Sequence, residues 1–169
     1  MTKLVAAAAV LAASTMVASA PAQAQACWNA NAVNAAKVRN LDIMLMVTAL
    51  RCRMGPDNFQ PDYYKFSAAH QAELNVANGV IRAQFAGAGP KAANRALDKM
   101  SVVIANGYGT GHPNLGCKEL RKITRDLAGS RAPGNLLAAA DAVVADPFMP
   151  GRACGARLAP PTRVATARR

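Results

Sequence analysis

The sequence predicts an all-α protein, an up-and-down bundle of about five helices closed by two disulfide bonds. Its apolar residues recur every three or four positions, the spacing of one face of a helix, and no strand-like alternation is seen. Glycine and proline clusters divide the chain into stretches of helical length. The four cysteines form an even set in a chain of 169 residues, a length that suits one domain.

The N-terminus predicts a signal peptide over residues 1–26. An alanine-rich apolar run at residues 4–18 has the length of a signal-peptide core, and is shorter than the ~20 apolar residues of a transmembrane helix. Small residues then place the cleavage site after Ala24 or Ala26. We therefore expect a periplasmic or secreted protein whose mature chain has no transmembrane segment. Lipid attachment at Cys27 is an alternative, although lipoprotein signals carry a bulky aliphatic residue where this chain has Ala24.

The first helix is predicted at residues 30–53. Residues 43–50 within it are apolar nearly all round, which is typical of a helix buried on most sides at the centre of a bundle. Gly55, Pro56 and Pro61 end this helix. One face carries apolar or small residues at intervals of three and four, namely Val38, Leu41, Leu45, Thr48 and Cys52.

The second and third helices are predicted at residues 62–86 and 90–106. Asp62 can cap the second helix, and His70 lies on its apolar stripe. Pro90 suits the first turn of the third helix, where its missing N–H group has no helical partner in any case.

The fourth and fifth helices are predicted at residues 115–128 and 132–145. Asn114 is the expected N-cap of the fourth, and Asp146-Pro147 ends the fifth. The whole helical domain is expected to cover residues 27–155. The remaining residues, 156–169, carry two prolines and four arginines without an acid, and predict a basic disordered tail.

Export and an even count predict that the cysteines form disulfides, and none of them lies at a metal-binding C-x₂₋₄-C spacing. In an up-and-down bundle the first helix carries Cys27 at the bottom and Cys52 at the top. The fourth helix begins at the top with Cys117, so we predict Cys52–Cys117. Cys154 then pairs with Cys27, which requires the segment after Asp146 to run back down the bundle.

The net charge is +11, and removal of Lys3 with the signal peptide leaves 11 − 1 = +10. Such a balance favours anionic partners: nucleic acid, acidic lipid head groups or acidic glycans. An aromatic content of 5% leaves few rings for stacking on bases.

The glycine-rich segment 105–120, "ANGYGTGHPNLGCKEL", resembles a phosphate-binding loop only superficially. Cys117 separates Gly116 from Lys118, and Glu119 stands where a P-loop has its magnesium-binding serine or threonine. The predicted element before it is a helix, whereas the dinucleotide fingerprint requires a strand. We therefore expect no nucleotide and no cofactor, and interpret the segment as a corner that delivers Cys117 to Cys52.

Four residues are weak catalytic candidates: Glu73, His70, Asp98 and His112. An acidic pair such as Glu73 and Asp98, with His70 as a base, would suit cleavage of a cell-wall glycan. A core histidine and solvated surface carboxylates are the simpler interpretation of the same residues. His112 lies in the corner segment, and its purpose does not follow from the predicted fold.

The runs "CWNANAVNAAKVRNLDIMLMVTALRCR", "YYKFSAAH" and "NGYGTG", with a late cysteine, resemble a family of small exported bacterial α-helical proteins without an assigned function. The resemblance covers most of the mature chain and implies no catalytic motif. The resemblance implies that some relatives carry the label S-adenosylhomocysteine hydrolase, and we expect that label to be wrong for this chain, because it lacks the glycine fingerprint of that enzyme.

We therefore expect a non-enzymatic binding or structural protein of the bacterial envelope, acting on an anionic component or on another protein. A small hydrolase of cell-wall glycan that uses Glu73 and His70 is the alternative. A carrier of a small apolar ligand is a second one, with Met44, Met46 and Met100 lining its cavity.

Overall fold

The computed structural model describes residues 27–144 and 146–155, and these form an all-α bundle closed by two disulfide bonds, as predicted. The predicted signal peptide, its two cleavage sites and the tail 156–169 lie outside the described residues. The helices are α1 (Ala30–Cys52), α2 (Gln60–Ala69), α3 (Gln71–Ala83), α4 (Pro90–Gly107), α5 (Cys117–Gly129) and α6 (Asn135–Val143), with a short 3₁₀ turn at Ala86–Ala88.

Helix α1 is the centre of the bundle and packs against each of the other five α-helices. The first part of the run at residues 43–50 is buried, with Ile43, Met44 and Leu45 almost without exposure, whereas Leu50 at its end is exposed. The Asn29 side chain begins the helix by accepting a hydrogen bond from the Ala32 amide at 2.9 Å. Among the helices of the described residues, none is both long and apolar enough to cross a membrane.

The single helix predicted at residues 62–86 is two helices, α2 and α3, which meet at His70. The His70 backbone leaves the helical region (φ −111°, ψ 13°). Hydrogen bonds still continue through the break, from the His70 amide to Phe66 and from the Leu74 amide to His70. The two halves have different partners, since α2 packs mainly on α5 while α3 packs on α1 and α4. The break gives each half its own direction.

Helix α6 is shorter than the predicted helix at residues 132–145. It begins at Asn135, because Gly134 lies in the left-handed region (φ 78°) and ends the preceding turn. At its other end, Val144 is already extended.

Both predicted disulfide pairings are confirmed. Cys52–Cys117 joins the end of α1 to the start of α5, with its Cα atoms 5.8 Å apart. Cys27–Cys154 joins the two ends of the domain, with its Cα atoms 4.8 Å apart. Because the Cys27 sulfur is held in this bond, it is not free to form the thioether of a lipoprotein.

Residues 146–155, here called the C-terminal strap, run back along α1 as the pairing required. The buried Asn40 side chain holds the strap by mimicking a backbone: its amide donates to the Phe148 carbonyl, and its oxygen accepts from the Phe148 amide, both at 3.0 Å. Nearer its end, the strap forms a parallel bridge in which Trp28 donates to Arg152 and Cys154 donates to Trp28. The strap therefore covers the lower part of α1.

Candidate functional site

His70 is a core residue. Its side chain is only 4% exposed, and its ring lies against Phe66 with the centroids 5.4 Å apart. Nε2 donates to the Leu127 carbonyl at 2.9 Å, which ties the break between α2 and α3 to the end of α5. Nδ1 lies 3.6 Å from the Glu73 carboxylate. The structure therefore brings His70 and Glu73 together, but it turns the imidazole toward the core.

The two carboxylates of the proposed acidic pair lie at the surface. The Glu73 side chain is 42% exposed, and Asp98 is exposed on α4. An acid catalyst of glycoside cleavage needs a carboxyl whose surroundings exclude water. Neither carboxylate has such surroundings, so their positions favour the solvated-surface interpretation.

His112 clamps the corner between α4 and α5, residues 108–116. Its Nδ1 accepts hydrogen bonds from the amides of Asn114 and Leu115, at 3.1 and 3.0 Å. The ring proton is therefore on Nε2, which donates to the Val143 carbonyl of α6 at 2.8 Å. The ring also stacks on Tyr108. His112 therefore links the corner to α6, a role that the predicted fold did not explain.

The three methionines proposed to line a ligand cavity belong to the packed interior. Met44 and Met100 are buried in the hydrophobic core, and Met46 is half-buried against it. The corner segment forms the turn between two helices, as predicted: Gly107 ends α4 and Cys117 begins α5.

A buried polar network links α1, α2 and α4, and the sequence analysis did not identify it. Asp42, which is buried, accepts hydrogen bonds from Arg39 at 3.0 Å and from the Tyr63 hydroxyl at 3.1 Å. Arg39 also donates to Ser101 at 3.0 Å. Burial raises the pKa of Asp42, and the positive charge of Arg39 opposes that rise. Burial and the neighbouring Asp42 also raise the pKa of Tyr63.

Because its pKa is raised, Asp42 should make a contribution to the free energy of unfolding that depends on pH. The folded state favours the neutral carboxyl, so this contribution is full below the unfolded pKa of 3.8 and is lost as pH rises through the higher folded value. Asp42→Asn removes it, because asparagine does not ionise. We expect the stability of the natural protein relative to Asp42→Asn to be greater at about pH 3 than at about pH 7.

Urea unfolding at the two pH values measures this difference. The matched control is Asp126→Asn, at an exposed carboxylate paired with Lys122 on the same helix. A stability difference for Asp42→Asn that stays constant with pH, or grows toward pH 7, would contradict the prediction.

The positive charge is concentrated in side chains that lack acidic partners. Among the described residues, five lysines and arginines form ion pairs with carboxylates at 4.0 Å or less. Ten others form none and are all exposed. These ten are Arg51, Arg53, Lys65, Arg82, Lys91, Arg95, Lys99, Lys118, Arg131 and Arg152.

Three of the ten lie in a row on α4. Lys91, Arg95 and Lys99 are spaced by four residues, so they share the outer side of the helix, here called the basic face of α4. Val102 continues the row and is 58% exposed. Asp98 lies beside the face, yet it forms no ion pair with the three among the described residues.

The basic residues of α5 form a different environment. Arg121 contacts Asp57 and Asp62, Arg125 also binds Asp62, and Lys122 pairs with Asp126. Although several cations gather here, their charge is largely neutralised. The basic face of α4 is therefore the better candidate for binding an anion.

Two clefts flank the corner. One, of about 240 Å³, lies over the Cys52–Cys117 disulfide beside Arg51. The other, of about 330 Å³, lies between the end of α4 and the strap. In the described part of the chain, no group of three or more histidine, cysteine or acidic side chains could hold a metal ion.

The chain matches no protein-family model, no curated protein and no solved structure. The candidate function therefore rests on the geometry of its own residues.

Proposed function

We propose that this protein is an exported, non-enzymatic component of the bacterial envelope that binds an anionic partner through the basic face of α4. The observation that carries the proposal is the row of three exposed cations without acidic partners. The predicted signal peptide and the two disulfides support the location, because disulfides persist in oxidising compartments.

The geometry of the row suits a partner with repeated negative charge. Four residues of helix rise about 6 Å, so Lys91, Arg95 and Lys99 span about 12 Å along the helix axis. The opposite side of α4 is anchored in the core, where Leu97 and Met100 are buried. The three cations are thereby held on a rigid support that faces outward, and their attraction to a polyanion adds up over a short distance.

The positive charge of residues 156–169, which lie outside the described residues, also favours an anionic partner. Four arginines and no acid are found in residues 156–169. A second basic segment tethered to the domain increases the apparent affinity for an extended polyanion, because its binding becomes intramolecular once the first contact is made.

The positions of the candidate catalytic residues support a hydrolase less well than the basic face of α4 supports anion binding. His70 is enclosed in the core, and Glu73 and Asp98 lie at the surface. A carrier function has less support still, since Met44 and Met100 are packed among other core side chains.

The test is capture from envelope extract by the immobilised mature protein. We expect partners to be retained at about 50 mM salt and released at about 500 mM, since added salt screens exposed charges. The triple variant Lys91→Gln, Arg95→Gln, Lys99→Gln removes three charges from an exposed face. We expect it to weaken binding about tenfold or more, because each contact of this kind contributes on the order of 0.5–1 kcal/mol.

The matched control removes three charges elsewhere, as Arg53→Gln, Lys65→Gln, Lys118→Gln. All three are exposed and lack acidic partners in the described part of the molecule. Equal weakening by both triple variants would show that net charge alone matters, and would overturn the assignment to α4. Capture that does not respond to salt would contradict the electrostatic mechanism itself.

A further inference from the structure

We propose that the cleft between the end of α4 and the C-terminal strap binds a small organic ammonium cation. The cleft has a volume of about 330 Å³. Its walls come from four separate parts of the chain: Asn40 from α1, Val103 and Tyr108 from α4 and its end, His112 from the corner, and Asp146 and Phe148 from the strap.

Two aromatic rings contribute to this cleft. Tyr108 is half-buried, and its ring is held in place by stacking on His112, with the centroids 6.1 Å apart. Phe148 is 37% exposed, although its backbone is fixed by two hydrogen bonds to Asn40. Rings held on a rigid support attract cations through their electron-rich faces.

The charge of the cleft is opposite to that of the molecule as a whole. Asp146 is the only charged residue among those that line it, and no lysine or arginine takes part. Asp146 forms no ion pair with any cation in the ranges 27–144 and 146–155. Asp146 also affects Tyr108. Burial raises the pKa of the Tyr108 hydroxyl, and the negative charge of Asp146 raises it further.

The other polar groups of the cleft are already occupied. The Asn40 amide holds the strap, and both nitrogens of His112 bind backbone groups. A ligand with several hydrogen-bonding groups would therefore find few partners here. A cation with an apolar surface needs only the rings, the Val103 side chain and one carboxylate, which is the set that this cleft offers.

The class of ligand follows from this set. An alkylated ammonium group presents methyl groups to the aromatic and aliphatic walls. Its positive charge is spread over these methyl groups and is attracted to the Asp146 carboxylate. An anion is excluded by the carboxylate, and a neutral apolar molecule leaves that carboxylate partly desolvated without compensation. This cleft is separate from the basic face of α4 and carries the opposite sign of charge.

The probe is choline, titrated into the full mature chain and followed by ¹H–¹⁵N NMR. We expect saturable shifts confined to the amides of Tyr108, His112 and Phe148 and of their neighbours. The uncharged isostere 3,3-dimethyl-1-butanol has the same shape without the charge. We expect its affinity to be at least about tenfold lower, because the charge supplies both the attraction to the rings and the attraction to Asp146.

The decisive variant is Asp146→Asn, at an exposed position where folding is expected to persist. Choline affinity should fall about fivefold or more. Asp126→Asn, at an exposed carboxylate on α5, should leave the affinity unchanged. Equal binding of choline and its neutral isostere, an unchanged affinity in Asp146→Asn, or shifts spread over the whole surface would each overturn the proposal.

Discussion

Replacing Cys27 and Cys154 together by serine is expected to lower the free energy of unfolding by about 5 kcal/mol. The bond joins residues 127 positions apart, so its loss restores a large conformational freedom to the unfolded chain. A domain of this size has a total stability of roughly 5–15 kcal/mol, so the variant would lose about a third or more of it. Equilibrium unfolding in urea measures the loss.

The second disulfide provides the comparison. Cys52–Cys117 closes a loop about half as long, 65 residues, and its removal should cost about 4.4 kcal/mol. The entropy of loop closure therefore predicts that Cys27–Cys154 stabilises the protein more than Cys52–Cys117. The difference is about 0.6 kcal/mol, because one closed loop is about twice as long as the other. A loss below about 1 kcal/mol for Cys27 and Cys154 would show that the remaining contacts of the strap hold the chain ends together without the bond.

Gly151→Ala is expected to destabilise the protein by about 3 kcal/mol. A Cβ atom at this position would lie well inside the van der Waals distance of Trp28 Nε1 and Cδ1. The indole cannot move away easily, because Trp28 is 1% exposed and packs edge-on against Phe85. Either the strap or the indole must shift, and both are tied to α1. Thermal and urea unfolding of the variant test this value.

Gly79→Ala is the matched control, with an expected effect of the opposite sign. Gly79 lies within α3, and a Cβ atom there would meet nothing within 4 Å. Alanine should stabilise this helix by about 0.5–1 kcal/mol. Gly151→Ala in the background of Trp28→Leu tests the mechanism. With the indole already removed, Gly151→Ala should have almost no effect on stability. Full additivity of the two changes would contradict a direct clash.

Both predictions concern the strap, and the strap also forms one wall of the ammonium cleft. Asn40, Trp28 and the Cys27–Cys154 bond fix its backbone at three points. A variant that loosens the strap should therefore weaken choline binding as well as stability. Asp146→Asn changes the cleft without touching these three points.

The candidate sites differ in how far the sequence predicts them. Helical spacing alone places Lys91, Arg95 and Lys99 on one side of α4, because residues four apart are neighbours on any helix. That they lack acidic partners depends on which segments pack nearby. The ammonium cleft could not be predicted at all, since Tyr108 and Asp146 are brought together only by the return of the strap.

The buried network around Asp42 was missed for a related reason. An aspartate directly before the apolar run of α1 was a visible signal, because a charge on a helix buried on most sides needs a partner. Its partner Tyr63 lies 21 residues away on another helix. The identity of such a partner depends on how the helices pack, which the spacing of residues along α1 does not give.

Three features were predictable from the amino-acid sequence alone: the all-α class, the central place of α1 and both disulfide pairings. These properties follow from local periodicity and from the alternating direction of successive helices, which need no knowledge of side-chain contacts. The packed fold was needed to show that His70 divides a helix and binds Leu127, that His112 links the corner to α6, and that Asn40 holds the strap. Each of these roles depends on a carbonyl or amide far away along the chain, and only packing brings such groups within hydrogen-bonding distance.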